Sequence, residues 1–113
     1  MEIHCFRIED SKGNLKRIGA VYGDIDCLDQ SVADRIWDLC NWSCWHNDRN
    51  PKKVSKDGLE YTRTEHDRGV MNSDLVLVTE GKVMVSLPVG WETFTNVQDA
   101  VEFRLNYELP LFY

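Results

Sequence analysis

The amino-acid sequence predicts an α+β fold in which an antiparallel sheet of about five strands packs against two helices. Five short segments are rich in β-branched and aromatic residues, two longer segments have apolar residues at helical spacing, and turn-forming residues separate them. The predicted element order is ββαβββα. Because the chain has 113 residues, which suits one hydrophobic core, we expect residues 1–113 to form a single globular domain.

The first two predicted strands, residues 2–8 and 15–22, form a hairpin. Gly13 and Asn14 lie in the turn between them, where either residue can adopt a positive φ. In the second strand apolar residues alternate with more polar ones, which predicts one buried face. That face is expected to consist of Ile18, Ala20 and Tyr22.

The first predicted helix begins at Asp29 or Ser31 and continues to residue 41 or beyond, with acidic residues gathered near its positive end. Residues 46–58 follow it. They have no apolar period, contain one proline and one glycine, and carry four cations without an acid between residues 49 and 56. This composition predicts a mobile basic loop. Its cations could contact a phosphate backbone or another partner, but neutralisation of the acidic start of the helix is the favoured interpretation.

Three further strands are predicted at residues 59–66, 74–79 and 82–87. The first alternates apolar and polar residues and is placed toward an edge of the sheet. The other two form a hairpin through Glu80 and Gly81. Residues 75–78 are all apolar, so that strand requires cover on both faces and is expected to be central.

The second helix is predicted after Gly90. Thr95 followed by Gln98 resembles a capping box. Apolar residues then recur at intervals of four, and the stripe, which ends near Tyr107, consists of Val97, Val101 and Leu105. Residues 109–113, LPLFY, follow Pro110 and are apolar enough to fold back onto the domain or to bind another copy.

Composition and charge restrict the classes of partner. The formal net charge is −6 and the pI is near 4.9, which argues against direct binding to nucleic acid or to an anionic membrane and favours a protein partner with a basic or mixed-charge surface. The N-terminal residues do not resemble an export signal, and no segment has the length and apolar character of a membrane span. Four cysteines without the spacing of a disulfide scaffold favour the cytoplasm.

The segment WDLCNWSCWHND, residues 37–48, contains three of the four tryptophans. If the first helix continues to residue 45, its geometry places Trp42 and Trp45 among polar residues that include Asp34 and Asp38. Covering one indole ring is worth at most about 4 kcal/mol. Either the helix ends near residue 41 and the protein itself covers these rings, or a partner does. Trp91, which follows Gly90, is expected to pack over the end of the core.

Catalytic and metal sites are the alternatives. A zinc site from Cys27, Cys40, Cys44 and His46 fits poorly, because structural zinc sites use closely spaced cysteine pairs in tight turns. His46, Asp48 and His66 are the best candidates for a metal-assisted hydrolase or nuclease. His4 and Cys5 are adjacent in a strand and point to opposite faces, so they cannot form a nucleophile and base pair. Phosphate-loop, dinucleotide-binding and hydrolase motifs are absent from the sequence, and no cofactor is expected.

The sequence therefore favours a non-enzymatic binding module, an inhibitor or adaptor that occludes a macromolecular partner. The residues expected to contact the partner are Trp42, Trp45, Asp34 and Asp38. Small acidic domains of this kind occur among immunity proteins and phage-encoded antagonists of host defence, which suggests a viral or mobile-element origin. That analogy rests on size and charge alone. A homodimer joined through LPLFY or through a central-strand face is a third possibility.

Overall fold

The computed structural model describes residues 1–45, 53–63, 75–88 and 90–107, with the backbone alone described at 41–45 and at 54. These residues form one antiparallel sheet in the order β3-β4-β2-β1-β5-β6-β7, together with two helices. The α+β class is therefore confirmed. The elements are β1 (Glu2–Ile8), β2 (Leu15–Gly23), α1 (Gln30–Trp45), β3 (Lys53–Lys56), β4 (Leu59–Arg63), β5 (Leu75–Thr79), β6 (Lys82–Leu87), β7 (Gly90–Phe94) and α2 (Val97–Leu105).

The sheet has seven strands rather than about five, and the element order is ββαβββββα. The strand β3 lies inside the segment predicted to be a mobile basic loop. It pairs with β4 across a two-residue turn in which Asp57 has φ 53° and Gly58 has φ 81°. Two successive positive φ angles are typical of a type I′ hairpin turn, for which Asp-Gly is a preferred sequence. The prediction of a loop is wrong for residues 53–56, because the Asp57-Gly58 turn folds them back into register with β4.

The second unpredicted strand, β7, is joined to β6 by only residues 88 and 89. Of its five residues, only Trp91, Thr93 and Phe94 are typical of strands. Pairing with β6 along the full length of β7 compensates for that weak propensity. The segment beginning at residue 59 lies toward an edge, as predicted, but β4 is not the outermost strand, since β3 pairs with its other side.

The two faces of the sheet are covered by different helices. On the first face α1 packs over a large cluster that includes Ile3, Cys5, Leu59, Tyr61, Leu75, Leu77 and Met84. On the second face α2 contacts β6 and β7 over a smaller cluster that includes Ile8, Val76, Val83 and Val85. The strand β5 contributes to both clusters, which confirms that it is interior and covered on both faces.

An irregularity in β2 changes which of its residues are buried. The pairing of β1 with β2 shifts between Cys5–Gly19 and Phe6–Arg17, so that Ile18 is an extra residue in β2. Ile18 therefore points to the α1 face and is buried, while Tyr22 is 44% exposed. The predicted common buried face of Ile18, Ala20 and Tyr22 is wrong for this reason, since a bulge reverses the alternation on one side of it.

Beside the bulge, the ring of Tyr61 packs closely against Gly19. A Cβ atom on Gly19 would lie 2.5 Å from Cε1 of Tyr61, so only glycine leaves room for that ring. The Tyr61 hydroxyl donates a hydrogen bond to the carbonyl oxygen of Ile18 over 3.1 Å. The buried tyrosine thus satisfies its polar atom at the bulge itself.

Both helices begin at a capping side chain. The Asp29 carboxylate accepts a hydrogen bond from the Val32 amide over 2.9 Å, which confirms the predicted start of α1. At α2 the cap is Asn96, whose side-chain oxygen accepts from the Asp99 amide over 2.8 Å, so the cap lies one residue after the predicted Thr95. The predicted apolar stripe is confirmed, because Val101 is buried and its neighbours on the stripe are partly buried.

Neither of the two described helices has both the length and the apolar composition needed to cross a membrane.

Candidate functional site

The outer side of α1 is the site that the sequence indicates. That prediction requires a helix that continues to residue 45, and the structure has one. The helix continues without a break to Trp45. Asp34 and Asp38 are both exposed and lie four residues apart, on the same side of the helix. The opposite side is buried in the sheet and consists of Val32, Ala33, Ile36, Leu39 and Cys40.

Positions 42 and 45 follow Asp38 by four and seven residues, so helical geometry continues the exposed acidic row toward them. The side chains of Trp42 and Trp45 are outside the described part of the structure. Their contact with a partner therefore stays a prediction.

A tryptophan on the neighbouring strand joins this row. Trp91 of β7 packs partly buried against the α1 side of the core, as the sequence predicts. Its indole Nε1 donates a hydrogen bond to Oδ1 of Asp34 over 2.8 Å. The two residues are 57 positions apart in the chain, and no local sequence pattern indicates the contact. This hydrogen bond fixes the orientation of the Asp34 carboxylate and ties α1 to β7.

The charge around the row is mainly negative. Asp24 and Asp26 are exposed in the loop before α1. On α1 itself, Arg35 donates a hydrogen bond to the carbonyl oxygen of Asp57. Lys53 of β3 lies 3.7 Å from Oε1 of Glu60 on the adjacent strand β4. Arg49 and Lys52 of the predicted basic loop lie outside the described residues, so neutralisation of the helix start by that segment stays a prediction. The outer side of α1 therefore presents carboxylates to solvent.

A second polar cluster, which the sequence analysis missed, lies on the second face of the sheet where α2 does not reach. Nε2 of His4 lies 2.7 Å from Oε1 of Glu2, and Nη2 of Arg17 lies 3.1 Å from Nδ1 of His4. An arginine can only donate, so Nδ1 of His4 must accept. The proton of the neutral ring is then on Nε2, which donates to Glu2.

This arrangement limits what His4 can do chemically. Both ring nitrogens already have partners, and the side chain has no unused nitrogen with which to act as a base. Tyr22 lies beside the pair, and its hydrogen bond to Glu2 together with the negative charge of Glu2 raises the pKa of Tyr22. The cluster is best described as a network that satisfies polar groups on a solvated sheet face. The sequence does not predict this network, because alternation without the bulge at Ile18 places Tyr22 in the core.

The predicted catalytic residues His46, Asp48 and His66 lie outside the described residues, as do residues 109–113. Among the side chains that the structure describes, no group of three His, Cys, Asp or Glu residues is arranged to hold a metal ion. Cys27 is exposed and Cys40 is buried in the core. Burial raises the pKa of the Cys5 thiol well above its ordinary value, and a hydrogen bond with Cys40 adds to the shift, so Cys5 is unsuited to act as a nucleophile.

Comparison with known proteins adds no relative to this description. The chain matches no protein-family model, no curated protein and no solved structure.

Proposed function

We propose that the protein is a non-enzymatic binding module, an inhibitor or adaptor, that covers a partner protein with the outer side of α1. The observation that carries this proposal is the unbroken course of α1 from Gln30 to Trp45, with Asp34 and Asp38 exposed on the side away from the core. A helix that ended near residue 41 would have removed the reason for expecting outward-facing tryptophans.

The chemistry of such a surface favours binding. Tryptophan is enriched among the residues that dominate protein interfaces, because a large rigid ring loses little side-chain entropy when it is covered. Carboxylates beside the rings orient a partner and accelerate its approach if the partner surface is basic or mixed in charge. The net charge of −6 acts in the same direction over longer distances.

The scaffold presents this surface in a fixed position. The inner side of α1 is buried against the sheet, and the hydrogen bond from Trp91 holds one carboxylate of the outer side. A preorganised helix does not have to fold when it binds, so less of the interaction energy is lost to ordering. This property suits a protein whose action is occlusion.

The test compares affinity capture from native cell extract by the wild-type protein and by a triple variant with Trp42→Ala, Trp45→Ala and Asp38→Lys. The matched control is Glu102→Lys, which makes the same charge change at an exposed position of α2. We expect the captured partner to be retained by the control and lost by the triple variant. With the identified partner, calorimetry should give a dissociation constant at least about thirtyfold higher for the triple variant, corresponding to roughly 2 kcal/mol.

The proposal is wrong if the folded triple variant binds that partner as tightly as the wild type. The alternative of a hydrolase is tested in the same series by His46→Ala and His66→Ala. A binding module keeps its partner in these two variants, whereas an enzyme loses its activity.

A further inference from the structure

The hydrogen-bonding pattern of β7 can be derived from the two hairpin turns that precede it. Thr79 pairs with Lys82 across a two-residue turn, and Leu87 pairs with Gly90 across another. A pair that closes a two-residue turn exchanges both of its backbone hydrogen bonds, and bonded and non-bonded pairs then alternate along the strands. Each of the two turns can therefore be used independently to assign which pairs are hydrogen-bonded.

Both turns give the same assignment for β7. Gly90, Glu92 and Phe94 form the pairs that are hydrogen-bonded to β6. The backbone N–H and C=O groups of Trp91 and Thr93 therefore point away from β6. Within the described part of the chain, β7 is the last strand of the sheet, and these groups are directed outward from its edge.

An aromatic surface flanks this edge on the side of α2. The ring centroids of Phe94 and Phe103 are 5.3 Å apart, and those of Phe103 and Tyr107 are 6.2 Å apart. Phe103 is 40% exposed, which makes it one of the most exposed large apolar side chains among the described residues. We call Phe94, Phe103 and Tyr107 the β7 patch.

Two carboxylates border the β7 patch. Glu92 is exposed and lies on the same face of β7 as Phe94, two residues away. Asp99 is exposed and precedes Phe103 by four residues, on the same side of α2. The exposed charges at the border of the patch are therefore acidic, while the guanidinium of Arg104, 6.0 Å from the Tyr107 ring, is buried beneath it. A covering segment with positive charge is favoured over one with negative charge.

The opposite edge of the described sheet differs in charge. The strand β3 carries Lys53 and Lys56 among its four residues, and edge lysines are a common means of preventing unwanted strand pairing. In β7 the one charged residue is Glu92. An added strand with lysine or arginine opposite Glu92 gains a favourable cross-strand pair.

We propose that β7 and the β7 patch form a second interaction surface, which binds an extended basic segment of a partner protein as an additional β-strand. The backbone of that segment bonds to the outward groups of Trp91 and Thr93. A cationic side chain lies opposite Glu92, and an apolar side chain two residues away covers Phe94 and Phe103. A second copy of this chain fits less well, since antiparallel self-pairing centred on Glu92 sets two carboxylates directly opposite each other.

The test measures amide hydrogen exchange of the full chain by NMR in the presence of a basic hexapeptide with blocked termini. In this peptide every second residue is threonine, and the positions between the threonines are occupied by lysine and phenylalanine. In the free protein the amides of Trp91 and Thr93 should exchange rapidly, while those of Glu92 and Phe94 are protected. Saturating peptide should slow exchange at Trp91 and Thr93 at least about tenfold. A peptide with glutamate in place of lysine should give no protection.

Three results would overturn the inference. The first is an absence of protection with the basic peptide. The second is protection of Trp91 and Thr93 in dilute protein without peptide, which means that the chain covers its own edge. The third is protection that increases with protein concentration alone, which identifies a second copy as the occupant.

Two variants make the test specific. Thr93→Pro removes an amide that points outward, so the sheet keeps its own hydrogen bonds and peptide protection should be lost. Glu92→Lys should reverse the preference between the basic and acidic peptides, and it remains informative if the proline variant does not fold. The control Glu80→Lys makes the same charge change at the exposed β5–β6 turn and should not alter peptide binding.

The outcome is separable from that for α1. Peptide protection at β7 should persist in the Trp42→Ala, Trp45→Ala, Asp38→Lys variant. Unaltered peptide affinity in folded Thr93→Pro and Glu92→Lys would contradict the inference about β7 and leave the proposed role of α1 unaffected.

Discussion

The two faces of the sheet are covered by helices of different length, and the exposed polar side chains of β1 lie on the face of the shorter helix. The helix α1 has 16 residues and α2 has nine. Beneath α1 the strands carry a large apolar cluster, and by strand alternation the buried polar residues Arg7, Arg63 and Ser86 lie on the same face. Beneath α2 the apolar cluster is smaller and includes residues of β1, β5 and β6.

The strand β1 shows the effect within seven residues. Ile3 and Cys5 face α1 and are fully buried. Glu2 and His4 alternate with them on the second face, where their side chains are 43% and 39% exposed. Ile8, near the other end of the strand, is again buried. On the second face, the change from exposed Glu2 and His4 to buried Ile8 therefore indicates which end of β1 is covered by α2.

The largest expected contrast is in the reactivity of cysteines. Cys5 lies in the α1 cluster with a raised thiol pKa, whereas Cys27 is exposed in the loop before α1. Alkylation of Cys5 requires the protein to open, so iodoacetamide should modify Cys27 about a thousandfold faster or more. Peptide mapping by mass spectrometry measures both rates, and denatured protein is the control. Similar rates in the folded protein would mean that the α1 face is not closed.

The next contrast compares one substitution under the two helices. Leu39 of α1 is 1% exposed, while Leu105 of α2 is partly buried. We expect Leu39→Ala to lower the free energy of unfolding by about 3 kcal/mol and Leu105→Ala by about 1 kcal/mol. Urea denaturation followed by circular dichroism measures both. Equal losses would indicate that α2 covers its face as completely as α1 does.

The smallest expected effect is a pH-dependent contribution to stability from the β1–β2 turn, which lies outside both covered faces. Asp10 accepts hydrogen bonds from the Asn14 side chain over 2.7 Å and from the Asn14 and Lys12 amides. These bonds, led by the one from the Asn14 side chain, lower the pKa of Asp10. The turn is therefore stabilised at pH values above the ordinary pKa of aspartate, and this contribution is lost as the pH falls through the lower pKa of the folded state.

Titration of the Asp10 carboxyl followed by NMR tests this assignment. Asn14→Ala should move the pKa of Asp10 upward, toward its ordinary value. Lys12→Ala, which keeps the backbone amide, should move it less. If Asn14→Ala leaves the pKa of Asp10 unchanged, the hydrogen bonds from Asn14 are not its cause.

Sequence patterns of short range were sufficient for much of the fold. The start of α1 at Asp29, the apolar stripe of α2 and the two-faced burial of β5 all follow from neighbouring residues, and the structure confirms them. The strand β3 was missed although Asp57 and Gly58 are a recognisable turn signal. The bulge at Ile18 depends on the register between two strands, which the sequence of one strand does not contain.

In the candidate site, too, features set by local periodicity could be predicted and contacts between distant residues could not. The exposure of Asp34 and Asp38 follows from helical periodicity and is observed. The hydrogen bond from Trp91 to Asp34 joins residues 57 positions apart, and the network of His4 with Arg17 depends on the bulge in β2. Contacts of this kind arise only when the strands are placed side by side. They could not be predicted from composition or spacing.

The proposed role of α1 is tested most directly by the solvent exposure of the indole groups in the isolated protein. The indole N–H signals, assigned with single Trp→Phe variants, are recorded by NMR while a soluble gadolinium chelate is added. If the outer side of α1 is a binding surface, the signals of Trp42 and Trp45 should broaden strongly and that of Trp91 less, because its N–H is bonded to Asp34. Signals of Trp42 and Trp45 that resist the chelate as well as Trp91 does would contradict a binding surface on the outer side of α1.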